Sequence, residues 1–330
     1  MEKEKSILLT GAAGFIGSYL LGYLNEKGYR NIIIADDFSD EDKWFNFDSK
    51  FFIEKIERNE LFEWLKKNET SGKYDIGFVF HLGARTDTTE FDYAVHEELN
   101  VRYSQLIWEY CTSKQIPLVY ASSAATYGAG EAGYSDDHSL VEKLQPLNPY
   151  GVSKNEFDKW ALQQNITPPY WAGLKFFNVY GPNEYHKDRM ASMVYHGYNQ
   201  IRKTGKVKLF RSHKDGFEDG EQLRDFIYVD DISAVCHWLM LRSVPSGLYN
   251  LGTGKARTFN DLLNAVFNSM GKKAAIEYVD MPADIRDKYQ YFTEAEMGKL
   301  REAGYERPFT SLEEGVEKYI TNFLATNSFY

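Results

Sequence analysis

Cysteine is almost missing from this chain: Cys111 and Cys236 are the two in 330 residues. Two distant cysteines give neither a disulfide framework nor a Cys-x-x-Cys metal pair. Cys111 falls in a helical stretch and reads as a small buried hydrophobe. The seven histidines show no metal-ligand spacing, so no metal is expected. Long apolar runs are lacking too, and none approaches the roughly 20 residues that cross a bilayer. No signal-peptide pattern precedes the first apolar run, because residues 1–5 alternate acid and base. A cytoplasmic location with no membrane contact is the expectation. Positive charge is in deficit: 38 Lys and Arg against 48 Asp and Glu leave a formal net charge of −10. A phosphate backbone repels such a chain, so nucleic acid is a poor partner. A small phosphorylated ligand remains admissible, because helix ends and a few cations set the local field. Repeats, low-complexity tracts and a Pro-rich linker are also absent.

What is present is a hydrophobic fraction of 43%, ample for a buried interior and far from a disordered composition. The length suggests two lobes. Aromatics reach 16%, which fits either a Tyr- and Phe-rich core or a groove with stacking surfaces. Apolar runs of strand length occur at 6–10, 31–35, 76–81, 117–121 and 171–176, with helical patterns at 15–27, 93–114 and 154–164. This alternation predicts an α/β fold with a Rossmann-type, doubly wound parallel sheet. The second half is less regular. Helices are expected at 191–203, 234–241, 259–270 and 312–324, and the polar stretch 211–222 reads as an exposed loop. The division expected is a dinucleotide-binding domain from 1–178 and 225–253. A smaller, mixed substrate-binding lobe takes 179–224 and 254–330.

Thr10-Gly11-Ala12-Ala13-Gly14-Phe15-Ile16-Gly17 lies between the first strand and the first helix. Gly11 permits the sharp turn, Gly14 lets backbone approach a pyrophosphate, and Gly17 lets helix and sheet pack closely. The helix N-terminus offers free N–H groups and a positive dipole end to phosphates. Alone the triplet is no more than a tight turn, but its strand-to-helix context favours a dinucleotide site. The Gly-Lys-Ser/Thr end of a P-loop is missing, which disfavours NTP hydrolysis. Asp36 and Asp37 end the second strand about 20 residues further on, where an acid meets the adenine ribose. Acid there favours NAD. Lys43 follows, either as a solvated lysine or as a partner for a 2′-phosphate, so NAD and NADP both stay open.

Tyr150 and Lys154 are four apart and share a face if helical. A free phenol, with a pKa near 10, is a poor base at neutrality. A neighbouring ammonium and an oxidised nicotinamide both lower that value. The bland alternative is a chance surface pair in a Tyr-rich chain. Ser123, in Ala121-Ser122-Ser123-Ala124-Ala125-Thr126-Tyr127-Gly128, weakens that alternative. It follows an apolar strand, at the end of the sheet that lines the ligand crevice. Ser123 is placed to bond a reacting hydroxyl, whereas Ser122 reads as structural.

Taken together, these features resemble the extended short-chain dehydrogenase/reductases over nearly the whole chain. Arg224-Asp225-Phe226-Ile227-Tyr228-Val229-Asp230-Asp231 and Tyr249-Asn250-Leu251-Gly252 look like late signatures of that class. Within it, residues 121–128, 176–182, His186-Lys187, Met190-Ala191-Ser192 and 289–293 resemble the sugar-nucleotide epimerases that act at C6″ of ADP-heptose. Thr86-Asp87-Thr88-Thr89-Glu90 is similar to their Ser-Ser-Thr-Thr-Glu loop. The resemblance implies C6″ epimerisation in lipopolysaccharide inner-core heptose synthesis, bound NADP (NAD as the alternative), and a homo-oligomer, a pentamer. It implies Tyr150 and Lys187 as the two acid/base residues, with Ser123 and Lys154 assisting. It places Gly11, Gly14, Phe15, Ile16, Gly17, Asp36, Asp37, Lys43, Arg58, Leu82, Gly83, Ala84, Asn100, Tyr150, Lys154 and Val179 at the cofactor. It assigns Ser123, Asn178, Arg189, His196, Phe210, Arg211, Ser212, Arg224 and Tyr289 to the substrate groove.

The residues themselves leave milder readings. Lys187 alone reads equally as a phosphate-binding or solvated lysine. Arg224 suits a diphosphate, since its fork binds two oxygens, or else a structural salt bridge with Asp225 or Asp230. The sequence also departs from the family pattern. Arg85 and Arg189 stand where small residues are expected, and the 211–222 loop is longer. A 4,6-dehydratase needs an acid pair where Ala124 and Ala125 stand, which argues against dehydration. A UDP-hexose 4-epimerase and a non-catalytic NADP sensor are the remaining alternatives.

Overall fold

The structure is a computed structural model that describes residues 4–242, 244–282, 286 and 289–330. Met1 to Lys3 of the alternating N-terminus lie outside the described residues. Strands β1 (Ser6–Thr10), β2 (Ile32–Asp36), β3 (Glu54–Glu57), β4 (Ile76–His81), β5 (Leu118–Ser123) and β6 (Trp171–Phe176) join one sheet. A late strand, β11 (Gly247–Leu251), completes it in the order β11-β6-β5-β4-β1-β2-β3. Every pairing in this sheet is parallel. All five residues of β1 and all six of β6 are buried. A parallel strand covered on both faces reads as a continuous apolar run rather than an alternating one.

Between the strands run α1 (Phe15–Glu26), α2 (Leu61–Ser71), α3 (Tyr93–His96), α4 (Tyr103–Lys114) and α5 (Pro149–Leu162). The helix expected over 93–114 is continuous but passes through a π-helical stretch at Glu97–Arg102. The helix expected near 154–164 begins earlier, at Pro149. Asn148 caps it by accepting from Gly151 N at 2.8 Å, and Pro149 occupies its first turn. Tyr150 therefore lies inside the helix.

On one face of the sheet, Leu20 and Leu24 of α1 pack with Ile232, Val235 and Leu239 of α7 (Val229–Leu241). The other face buries Trp108, Phe157 and Trp171. A further core gathers Val194 and Ile201 of α6 (Met193–Thr204), Leu263 and Val266 of α8 (Phe259–Ser269), and Val316 of α9 (Leu312–Tyr319). The helix expected at 312–324 ends as α-helix at Tyr319 and continues as a π-helical turn to Leu324. Small two-strand ladders complete this part: β7 (Asn178–Tyr180) with β10 (Phe226–Tyr228), β8 (Val207–Phe210) with β13 (Ile276–Val279), and β9 (Leu223–Arg224) with β12 (Arg257–Thr258). Half of the 211–222 segment is exposed, and Gly220 and Gln222 at its end are buried. Among the described residues, no helix is long and apolar enough to cross a membrane.

Candidate active site

A cleft of about 770 Å³ opens at the C-terminal ends of β1, β2 and β4, where the strand order reverses. Gly11 turns the chain with φ +73°, and a Cβ there would sit 2.5 Å from Gly83 N. A Cβ on Gly17 would meet Gly11 O at 2.0 Å, so α1 packs this closely only with glycine. Gly14 occupies the N-cap position of α1 with no side-chain cap. The first-turn N–H groups thus lack an intrahelical partner, and Gly14, Phe15, Ile16 and Gly17 all line the cleft. That is a cradle for a diphosphate.

Asp36 accepts from Ala13 N at 2.8 Å and from Asp37 N at 2.7 Å, bracing the Gly-rich turn. Burial pushes its carboxyl up from the ordinary value, and Lys43, 3.9 Å away, opposes this. Asp37 pairs with Arg58 at 3.0 Å. Its carboxyl is held low, chiefly by the Ser39 hydroxyl. Lys43, Arg58, Leu82, Gly83 and Ala84 complete the wall. Four expected cofactor residues, Asn100, Val179, Tyr150 and Lys154, stand outside this wall.

Asn100 is fully buried and occupied by protein. Its Oδ1 accepts from Arg85 N at 2.7 Å, and its Nδ2 donates to Arg85 O at 3.0 Å and Ser153 Oγ at 2.9 Å. It clamps the turn after β4 to α5. Sequence reasoning overlooked a similar brace. His81 lies between Thr10 Oγ1 at 2.7 Å and Ser104 Oγ at 2.9 Å. Ser104 donates to Asn100 O at 2.5 Å, which assigns the proton to His81 Nε2. Burial first, then Lys154, pushes this imidazole down to about 3, so it stays neutral.

Ser123, Tyr150 and Lys154 meet where β5 ends beside α5. Lys154 is buried and donates through Nζ to Ala121 O at 2.9 Å. Burial lowers its ammonium to about 8, with Asp158 opposing. Burial raises the Tyr150 phenol, while its hydrogen bond with the Ser123 side chain lowers it. Ser123 Oγ also accepts from Ala125 N at 3.1 Å.

Lys187 arrives from a different direction, in the 3-10 turn Tyr185–Met190, and lines the cleft. Its Nζ lies 5.5 Å from the centre of the Phe15 ring. Burial lowers its proton affinity and Glu184 counters this. Glu184 is buried and accepts from Ser192 N and Oγ, each at 2.6 Å, tying the turn to the start of α6. Asp188 has φ +45° and ψ −125°, a conformation side-chain-bearing residues rarely adopt. His186, unassigned from sequence, also lines the cleft, and it contacts Asn46 Nδ2 at 3.2 Å. Asn46 Nδ2 donates to Ala13 O at 2.9 Å as well, linking the Gly-rich turn to the Lys187 turn.

The expected substrate residues fall into separate groups. Leu223 N donates to Tyr291 O at 2.9 Å and Thr293 N to Leu223 O at 3.1 Å, which lays 289–293 along β9. This juxtaposition puts Arg224 5.3 Å from the Tyr289 ring centre and Asn178 Oδ1 3.5 Å from Thr293 Oγ1. Arg224 makes neither of the expected salt bridges. Asp225 accepts instead from Thr253, Gly254 and Ala295, and Asp230 pairs with Arg307 at 3.4 Å. The Arg224 guanidinium donates to Leu223 O at 2.8 Å and to Gln290 O. His196 is half-buried on α6. Phe210 ends β8 and is exposed; Arg211 donates to Tyr278 O at 3.3 Å, and Ser212 N to Asp219 Oδ1 at 2.9 Å. Arg189 lines the same cleft as Lys187. The two unexpected arginines share one acidic loop. Arg85 pairs with Asp87 at 3.6 Å and Glu90 at 3.8 Å, and Arg189 pairs with Asp87 at 3.6 Å.

Comparison with known proteins gives the family. Residues 7–252 match the NAD dependent epimerase/dehydratase family. A Fusobacterium nucleatum protein named ADP-L-glycero-D-manno-heptose-6-epimerase is 48% identical over 98% of this chain and 99% of its own length. A protein of the same name from Nitratidesulfovibrio vulgaris is 45% identical over 96% of this chain and 98% of its own. The crystal structure of the Helicobacter pylori ADP-L-glycero-D-manno-heptose-6-epimerase superposes with a TM-score of 0.81 at 28% identity, covering 98% of this chain and 97% of that one. The chain belongs to the NAD dependent epimerase/dehydratase family, among the ADP-L-glycero-D-manno-heptose-6-epimerases.

Proposed function

We propose that this protein interconverts the D-glycero and L-glycero forms of ADP-β-D-manno-heptose at C6″, using tightly held NADP, in lipopolysaccharide inner-core heptose synthesis. The observation that carries this reading is the separation of two proton-transfer groups onto different elements. Tyr150 stands on α5 with Ser123 and Lys154, and Lys187 stands on the turn after β7. A bound nicotinamide supplies reversible hydride storage. Tyr150 takes the C6″ hydroxyl proton on one face, with Ser123 holding that oxygen and Lys154 favouring the phenolate. Lys187 acts on the opposite face, giving a proton back to that oxygen once the transient ketone has turned over. Arg224 and Tyr289 engage the nucleotide diphosphate end. The reading includes a homo-oligomer.

The test is NMR of purified protein with ADP-D-glycero-β-D-manno-heptose and no added cofactor. Appearance of the L-glycero epimer is the expected result. A protein with bound cofactor that leaves this substrate unchanged would overturn the substrate assignment.

Lys43 supports NADP within this reading, because it lies in the adenosine end of the cleft beside Asp36. A charge-assisted bond to a 2′-phosphate is worth about 1.5–3 kcal/mol. Lys43→Ala is therefore expected to weaken NADP by roughly ten- to a hundredfold, with NAD little changed. Titration of cofactor-stripped protein with both nucleotides measures this, and equal losses for the two would sink the assignment.

A further inference from the structure

Behind the reacting groups lies a polar network that the reaction described above does not use. Tyr150, Lys154 and Asp158 recur every four residues along α5 and so share one face. Asp158 and Lys175 are both fully buried, and their charged groups meet at 2.7 Å. Asp158 Oδ2 also accepts from Ser122 Oγ at 2.7 Å, and Oδ1 accepts from Tyr120 OH at 3.0 Å. Lys175 Nζ donates onward to Thr126 Oγ1 at 2.8 Å, and Thr126 donates to the backbone oxygen of Ser123 at 2.8 Å. Lys175 also faces the Tyr127 ring, 5.2 Å from its centre. The pair thus joins β5, β6, α5 and the turn carrying Thr126. Buried ion pairs seldom add net stability, because desolvation offsets the Coulombic attraction. Matched apolar side chains would fill the space as well. What the ionic pair adds is directionality, aimed at the turn that presents Ser123.

We propose that Asp158 and Lys175 are positioning residues for the epimerisation: together they fix Ser123 against Tyr150 and keep the carboxylate behind α5 neutralised. The inference rests on the reading of Tyr150 as an acid/base group. Tyr150 is faced by the Ser123 hydroxyl from β5, the His96 ring at 6.3 Å from α3, and Lys154 and Asp158 from its own helix. The pair is faced by Tyr120 from β5, Tyr127 from the turn after it, and His138 from the turn His138–Lys143. An unpaired Asp158 disfavours the phenolate at Tyr150. An unpaired Lys175 favours it.

Lys175→Met should therefore raise the pH midpoint of Tyr150, and Asp158→Asn should lower it, each by about one unit. The Asp158→Asn/Lys175→Met double variant should return to the wild-type midpoint with kcat lowered at least about tenfold. The measurement is the pH titration of Tyr150 in the holoprotein, followed by NMR of Cζ-labelled tyrosine and assigned with Tyr150→Phe, beside the pH profile of kcat. Opposite shifts from the two single variants are the expected result. Midpoints that stay fixed, or move the same way, overturn the proposal, as does a double variant with wild-type kcat. If buried charge prevents a single variant from folding, the uncharged double variant decides through kcat alone. The NMR titration needs no turnover, so a wrong substrate assignment is distinguishable from a failed positioning role.

Discussion

Tyr150→Phe should reduce kcat by about a hundred- to ten-thousandfold, with bound cofactor and fold retained. The substitution removes one oxygen and keeps the ring, so helix α5 and the contact with His96 survive. Lys154 stays in place, because Ala121 O anchors it rather than the phenol. On the proposed mechanism, what is lost is the proton acceptor, a phenol that is hydrogen-bonded to the Ser123 side chain. Burial holds the Tyr150 phenol above its ordinary value, so little phenolate exists at neutrality and wild-type kcat should climb with pH. That rising limb should vanish in the variant. Steady-state kinetics across pH, with cofactor content read from the denatured protein, provides the check. A variant with wild-type kcat would remove Tyr150 from the mechanism.

Much of this arrangement was legible in the sequence, for a physical reason that differs by region. Strands β1, β4 and β6 coincide with their predicted bounds because parallel strands covered on both faces are unbroken apolar runs. Strand β3 was missed because it is an edge strand with one buried residue, Ile56. Helix α2, which follows it, buries only Leu61, Leu65 and Asn68, and its large apolar residues are confined to its first five positions. The true start of α5 had a local signal in Asn148-Pro149, a capping residue followed by a first-turn proline. The ladders of β7, β9, β10 and β12 are two or three residues long, below what periodicity resolves.

The candidate site divides in the same way. The Gly-rich turn is a local device, so its strand-to-helix context was visible. Asn100 shows the limit of carrying a role over by motif, since burial commits its amide to Arg85 and Ser153. Asn46 carried no signal, because its partners Ala13 and His186 lie 33 and 140 residues away in sequence. Arg85 and Arg189 stood out as departures, but only the fold shows that both converge on Asp87.

Lys187→Met should be as damaging to epimerisation as the loss of Tyr150, yet it should fail in a distinct way. Methionine approximates the length of the lysine stem without its charge. The turn itself depends on other groups: Glu184 holds Ser192, Asn46 reaches His186, and Asp188 takes up the unusual backbone angle. The fold and cofactor site should therefore persist. Tyr150 then remains able to serve one face of C6″ while the other face has no proton acceptor. Net epimerisation should fall by about a hundred- to ten-thousandfold in both directions. One epimer should still bring the bound cofactor to its reduced form, and the other should not. Tyr150→Phe should show the reverse preference. Absorbance of the reduced nicotinamide after mixing each variant with each pure epimer separates the cases. Matching preferences in the two variants would mean that Tyr150 and Lys187 act on the same face. The lysine would then be a substrate-binding residue, and the separation of the two groups in the fold would carry no catalytic meaning.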